Sequence, residues 1–496
     1  MKKLIYPLSI ILSSVLSLSC SKEDDNIAIT PKESTATTTE ENFEVENFIY
    51  AGMNEIYLYK AYVPQLTDSY YNSNKKEEYI KTFDSPEELY EGLQAGFDEF
   101  SFMTSDYEAL AKSFQGVSKV NGMSFGLGRI GDTDDLFGYV QYVLPGTSAE
   151  EQGVERGDIF TEINGISLNI SNYRDLLSDE TYTIDINRIE NGYITPTGNT
   201  IALISREYSE NPIYISTVIE EDGKRIGYLM YNGFTGTDAF DSQLNGVFAE
   251  FKSLGISDLI LDLRYNGGGS VETAVDLAGM ITGQYKGEVF IKEKWNDKYQ
   301  NAWPEESYIT RFDSEIRTGE VTNSLNLNKI YVIGTGSTAS ASELIINGLE
   351  PYIDVIHIGT TTRGKFQAST TLYDAPNFYL YDSNGNLHVN PEHKYAIQPL
   401  IFKSANANGK TDFVDGLSPD IEIRESLSNF GELGNSDESL LRTAINAVLG
   451  KPQENVSAVA KRAEEKFRVF GEGDMIKPTY QRMYIDKLPG EVLNLK

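Results

Sequence analysis

The stretch that most constrains this chain is Gly334-Thr-Gly-Ser-Thr-Ala-Ser340-Ala-Ser-Glu-Leu344. It follows Lys329-Ile-Tyr-Val-Ile333, a short apolar run that reads as a buried strand. It leads into Leu344-Ile-Ile-Asn-Gly-Leu349, which reads as a helix with an apolar face. Strand, small-residue turn and helix start put Ser340 at the positive end of a helix. Backbone N–H groups there are unpaired and can receive developing negative charge. Such a turn suits a nucleophile with a built-in oxyanion donor. A serine hydroxyl still needs a base. The candidate is Lys365, 25 residues on, in Thr361-Thr-Arg-Gly-Lys-Phe-Gln367, just beyond the apolar strand Asp354–Ile358.

Composition removes several rival chemistries. The chain has 496 residues, which suggests about three domains, and 40% of them are hydrophobic, enough for sizeable cores. A formal net charge of −32 argues against nucleic acid and against anionic membrane surfaces as partners. Cys20 is the only cysteine, so neither an intramolecular disulfide nor a thiolate metal site is expected. The three histidines, His357, His388 and His393, show no metal-ligand spacing. They also make a Ser–His–Asp triad the weaker alternative. His357 lies inside an apolar strand, where a core histidine is the common case, and the other two lie in a polar loop.

Three motifs, in this order, resemble those of the carboxy-terminal processing proteases. They are Leu261-Asp-Leu-Arg-Tyr-Asn-Gly-Gly-Gly269, the Thr338-Ala-Ser-Ala-Ser-Glu343 run, and the Gly364-Lys365 pair. The resemblance spans about residues 45–450. It implies a serine endopeptidase with a Ser340–Lys365 dyad, an acyl-enzyme, no metal or organic cofactor, and protein or peptide substrates with free, apolar C-terminal tails. It also implies that the glycine run supplies the second oxyanion N–H. Gly268 is the choice by motif position, with Gly269 close behind, and Ala341 is the other donor. A phosphate cradle is disfavoured because no Lys-Ser/Thr follows the glycines. The family usually has a glutamine four residues after the lysine to hold its amine. Here that position is Ser369, while Gln367 lies on the same side of a strand; Gln398 is the next choice. The departure leaves room for a slower enzyme or for a silent peptide-binding scaffold; a general surface peptidase without tail specificity is a third reading.

Along the chain, Met1-Lys-Lys-Leu and the apolar Ile5–Leu18, too short to cross a membrane, end at Cys20. This resembles a lipoprotein signal peptide with Cys20 lipidated, although Ser17 stands where leucine is usual. Ser21-Lys-Glu-Asp-Asp25 resembles the surface-export signal of Bacteroidetes lipoproteins, which implies an outer-membrane lipoprotein exposed at the cell surface; a solvated charge run is the bland alternative, and the lipoprotein then faces the periplasm. Residues 21–42 read as a flexible tether. Residues 43–116 read as a helical N-terminal domain, with Asp84-Ser-Pro-Glu-Glu as a helix start. At 117–206, Met123-Ser-Phe-Gly-Leu-Gly128, Pro145-Gly-Thr-Ser-Ala149 and Gly153-Val-Glu-Arg-Gly-Asp158 resemble a PDZ domain. Phe125, Gly126, Leu127 and Gly128 are its candidate loop for a peptide carboxylate, beside a strand edge to which a peptide could add.

Residues 207–450 alternate strand and helix and read as an α/β protease core, which the resemblance makes one of the ClpP/crotonase-like type. The whole is therefore expected to be multidomain α+β. Within the core, the polar, aromatic stretch 283–328 reads mainly as packing, and Asp415-Gly-Leu-Ser-Pro-Asp420 resembles the family's closing turn. Ser436 is expected to cap a last helix that Gly450 ends. Residues 451–496, charged and punctuated by proline and glycine, carry no assignment.

Overall fold

The computed structural model describes residues 43–190, 192–427, 429–453, 467–477, 479–486 and 488. The signal peptide, Cys20 and the tether lie outside them. Among the described residues no helix is long and apolar enough to cross a membrane.

The first helix, α1 (Glu44–Ile56), has acids in its first turn, where they complement the dipole. It buries Phe48, Ile49, Gly52, Met53 and Ile56, a stripe at helical spacing. A Cβ on Gly52 would sit 2.7 Å from Ile397, so this helix lies tightly on the strand Ala396–Gln398. The strand Phe102–Thr104 pairs antiparallel with that same strand. The helical N-terminal region thus shares its hydrophobic core with the protease-like body. Amphipathicity shows which face of a helix is buried, but not against what. The helix Pro86–Gly92 starts as read, with Ser85 accepting from the Glu88 N–H.

The PDZ-like module has its own core, which includes Leu127, Val140, Phe160, Ile163 and Ile184. Its strands β1 (Met123–Ile130) and β2 (Leu136–Val143) pair antiparallel. Phe125 to Gly128 therefore lie within a strand, a correction to the loop expected for them. Cβ atoms on Gly126 and Gly128 would fall inside the rings of Tyr139 and Phe137. The glycines make room for cross-strand aromatics.

The body is built on a six-stranded sheet. Its order is β3 (Ile213–Glu221), β4 (Lys224–Tyr231), β5 (Asp258–Asp262), β8 (Lys329–Gly334), β9 (Asp354–Gly359) and the short strand Ile421–Glu422. Only the first pair is antiparallel. Alternation along β4 and β5 sends Leu229, Tyr231, Leu259 and Leu261 to one face, against α2 (Asp238–Leu254) and α3 (Val271–Thr282). Ile226, Tyr228, Met230 and Ile260 go to the other face, against α5 (Ser439–Leu449). Each such aliphatic or aromatic side chain contributes about 1.5–3 kcal/mol. Burial on both faces is why these strands read as continuous apolar runs. The cap of α5 is Glu438, whose carboxylate accepts from the Leu440 and Leu441 N–H groups, rather than Ser436. Gly450 closes the helix in a left-handed conformation.

A second six-stranded sheet frames the cleft. Its order is β6 (Gly269–Ser270), β13 (Met483–Tyr484), β10 (Gln367–Ser369), β11 (Leu400–Asn406), β7 (Val289–Trp295) and the strand Ile309–Arg311. Trp295 and Trp303 pack on each other and on Tyr299. The stretch that had no assignment in the sequence supplies β13 here and also β12 (Phe467–Glu472), which pairs with β1.

Candidate active site

Strand β8 ends at Gly334, and α4 (Ala341–Leu349) begins immediately after Ser340. Ser340 holds φ 61° and ψ −117°, a conformation that costs a non-glycine residue roughly 1–3 kcal/mol and persists only when neighbours enforce it. Glu343 does the enforcing. One of its oxygens accepts from the Ser340 N–H at 2.8 Å and from the Lys365 N–H at 2.8 Å; the other accepts from the Gly364 N–H at 2.7 Å and from the Thr362 hydroxyl. One buried carboxylate thus fixes the backbones of both candidate dyad residues. Burial pushes its carboxyl up, while the four donors pull it back toward ionisation. Burial remains the larger effect, so the four donors offset part of its cost without cancelling it. The sequence reading gave Glu343 no role. The signal was present in Ser340-x-x-Glu343, the spacing of a capping box.

The lysine loop is held equally tightly. Gly364 has φ +91°, and a Cβ on it would lie 2.4 Å from the Val414 carbonyl oxygen, so glycine is required. The Asp415–Asp420 turn supports this crossing: the Leu417 N–H donates to Thr362, and Asp420 accepts from the His357 N–H at 2.8 Å. Lys365 is 0% exposed and Ser340 1%. The Lys365 amine lies 5.0 Å from the centre of the Phe100 ring. Burial, then Arg482, and to a lesser degree Arg363 push its pKa well below the lysine range, against a smaller pull from Asp98 and Glu343. That is the direction a general base needs.

The two side chains meet on one atom. The Ser340 hydroxyl donates to the Gln481 carbonyl oxygen at 3.0 Å, and the Lys365 amine donates to the same oxygen at 2.7 Å. Gly268, φ +104°, touches the serine turn so closely that a Cβ there would lie 2.5 Å from Ser340 Cβ. Its N–H is turned onto Asn266 Oδ1 at 2.9 Å. Gly269 pairs with Met483. Ala341 opens α4, where the first N–H groups have no partner within the helix. The proposed lysine-orienting residues point elsewhere. Ser369 donates to Gln398 Oε1 and to the Met483 carbonyl, each at 3.2 Å, and Gln367 donates to the Tyr59 hydroxyl at 2.8 Å. Gln398 itself donates to Thr371 at 2.7 Å. His357 is buried in β9, and His393 is paired with Asp374 at 3.0 Å. A cavity of about 430 Å³ opens beside the glycine loop, lined in part by Phe114, Tyr142, Gly268, Gln481 and Tyr484. Among the described residues no cluster of three or more His, Cys, Asp or Glu could hold a metal ion.

An arginine network ties this site to the PDZ-like module. Arg156 donates to Glu425 at 2.6 Å and to the Tyr265 hydroxyl at 2.7 Å. Glu425 also pairs with Arg264 at 3.0 Å. Tyr265 and Arg264 directly precede Asn266 and the glycines.

Buried serine, buried lysine, glycine loop and flanking module meet at one cleft. Residues 225–423 match peptidase family S41, 44–102 match the S41 N-terminal domain, and 139–188 match a PDZ domain. The chain belongs to peptidase family S41. It is similar to an S41 protease of known structure from Bacteroides fragilis, with a TM-score of 0.63 and 26% identity, over 81% of this chain and 97% of that one. It is 23% identical over 344 residues to the carboxy-terminal processing protease CtpA of Bacillus subtilis, covering 68% of this chain and 62% of that protein. It is 25% identical over 263 residues to carboxyl-terminal-processing peptidase 3, chloroplastic, of Arabidopsis thaliana, covering 49% of this chain and 45% of that protein. The matches span less than two thirds of the length of these curated relatives.

Proposed function

We propose that this chain is a serine endopeptidase of the carboxy-terminal processing type. The observation that carries the reading is the convergence of Ser340 Oγ and Lys365 Nζ on one carbonyl oxygen. Neutral Lys365 takes the Ser340 proton as Oγ attacks a peptide carbonyl carbon. The negative oxygen is held by the N–H groups of Ala341 and, once it leaves Asn266, of Gly268. The protonated lysine returns its proton to the leaving amine. Water then attacks the acyl-serine as the same amine takes its proton, and the amine passes that proton to Ser340 Oγ as the acyl carbon–Oγ bond breaks and the carboxylic acid leaves. The PDZ-like module selects substrates with free, apolar C-terminal tails. Hydrolysis of an unstructured protein, with its C-terminus free or amidated, tests both parts. Ser340→Ala and Lys365→Ala are each expected to abolish cleavage while leaving circular dichroism unchanged. Full activity in Lys365→Ala overturns the dyad. Equal rates on both substrates overturn the tail preference and favour a general peptidase.

The run ending at Cys20 supports a second element of the proposal, a lipid anchor in the outer membrane with the chain exposed at the cell surface. Cys20→Ala is expected to abolish lipid labelling and release the protein. Survival of the protein on intact cells treated with external protease overturns surface display.

A further inference from the structure

The stretch without an assignment in the sequence runs through both peptide-binding places of the fold. Strand β12 lies antiparallel against β1, with Val469 opposite Gly128 and Glu472 opposite Gly126. The other edge of β1 is taken by β2. A peptide that adds to a PDZ module does so as an extra strand on such an edge. The chain therefore fills, with its own residues, the edge that a substrate tail would use. Gly473 continues the path against the Phe125 ring, where a Cβ would lie 2.4 Å from the ring.

The path then enters the cleft. Gln481, at φ 50°, puts its carbonyl between Ser340 and Lys365. Arg482 stacks on Phe102, 4.1 Å from the ring centre, and donates to the Phe100 carbonyl. Met483 and Tyr484 form a parallel strand with Gly269 and Ser270 on one side and Ser369 on the other. The Ile485 N–H donates to the Ser369 carbonyl at 3.1 Å, and the Thr370 hydroxyl donates to the Ile485 carbonyl at 3.0 Å. Met483 is 0% exposed.

This engagement is not that of a substrate about to be cut. A scissile carbonyl aims its oxygen at the oxyanion donors and its carbon at the nucleophile. Here the oxygen faces the nucleophile and the base and receives a proton donor from each. The serine proton is committed to Gln481 rather than to the lysine. The Gly268 N–H is committed to Asn266. Both halves of the catalytic arrangement are held apart by, or in the presence of, one segment.

Resting on the peptidase reading above, we propose that residues 467–477 and 479–486 form a strap acting in cis, seated on the PDZ edge and in the cleft, that competes with incoming peptide and holds the enzyme latent. The test uses the full chain and a labelled synthetic peptide of residues 467–488. In the Ser340→Ala background, added Met483→Glu is expected to tighten binding of that peptide at least tenfold, because a buried acid unseats the strap. Val469→Pro is the second variant. Its side chain is 75% exposed, so proline weakens the β12 pairing without disturbing the core. With Ser340 intact, either variant is expected to raise hydrolysis of an unstructured protein at least tenfold. Equal peptide affinity in parent and both variants overturns the strap as a competitor. Tighter peptide binding with hydrolysis unchanged from a measurable parent rate overturns latency. Tighter binding with no hydrolysis in any form upholds the strap as a competitor and removes the peptidase reading instead.

Discussion

Two basic side chains are fully buried, Arg264 and Lys365, and their surroundings are opposite. Arg264 faces Asp262 at 2.8 Å, Glu438 at 2.9 Å and Glu425 at 3.0 Å. Burial lowers its pKa, but the carboxylates outweigh that and hold it well above the arginine range. Lys365 has no carboxylate within ion-pair distance among the described residues. It has a carbonyl, an aromatic face and two guanidinium groups, and its pKa falls well below the lysine range. Burial is common to both, so burial does not decide the role. The partners do. Arg264 is a fixed charge that anchors the strand end leading to the glycine loop. Lys365 sits where its neutral form is favoured, a form that a guanidinium does not reach near neutral pH.

The comparison breaks most sharply by exchanging chemistry at each site. Lys365→Arg puts a fixed charge where burial favours a neutral amine and loses the base, so peptide hydrolysis is expected to fall by about three orders of magnitude or more, as in Lys365→Ala. Lys365→Met removes a buried amine whose charged form is disfavoured, so the urea midpoint is expected to hold or rise. Arg264→Met should do the reverse. It leaves Asp262 and Glu438 buried without their counter-charge, at a cost of about 3–5 kcal/mol. Substantial activity in Lys365→Arg, or an unchanged urea midpoint in Arg264→Met, would erase the distinction between the two buried basic groups.

A smaller effect comes from the strap's own acid. Burial, then Asp474, pushes the Glu472 carboxyl up to about 8, against a hydrogen bond with Tyr480. A carboxyl raised in the folded state stabilises that state fully at pH values below its unfolded pKa. The contribution is lost as pH rises through about 8. The strap is therefore expected to loosen progressively as pH rises from about 4.5 to about 8, with no further loosening from this group above that, seen as faster amide exchange across β12. Glu472→Gln, neutral at every pH, is expected to flatten that dependence. If exchange in Glu472→Gln keeps the parent's pH profile after correction for intrinsic rates, Glu472 is not the group responsible.

The sequence exposed those parts of the site that are local in the chain. Ser340 at a strand-to-helix turn, the glycine run after β5, and Lys365 in a glycine-led loop each announce themselves within about ten residues. What it hid is non-local. The tie from Glu343 to the lysine loop reads in sequence only as a helix cap. Strands β12 and β13 are short and flanked by charge, proline and glycine, so no period marks them, and their partners lie more than a hundred residues away. Two-residue strands such as β6 and β13 are held by the sheet they complete rather than by their own propensity. The helical N-terminal region was recognisable as helix, while its union with the body depends on contacts such as Gly52 against Ile397.

The smallest effect concerns the residues expected to orient the lysine. Losing a side-chain hydrogen bond to a general base costs about 1–3 kcal/mol when that bond exists. In this resting arrangement Ser369 spends its hydroxyl on Gln398 and Met483, and Gln367 spends its amide on Tyr59. Neither reaches the amine, which bonds the strap instead. In the parent chain, Gln367→Ala is therefore expected to change kcat by less than about twofold. Ser369→Ala removes one of the bonds that seat β13, so its expected sign is a modest gain in rate, about two- to threefold, from a looser strap. Measuring both substitutions again in the Met483→Glu chain separates resting from working geometry. If Ser369→Ala costs tenfold or more there, in kcat rather than KM, the serine swings onto the lysine once the strap has left. If it costs nothing in either chain, the amine is placed by the Glu343-held backbone and the Phe100 ring alone, and the family's missing glutamine has no side-chain substitute here.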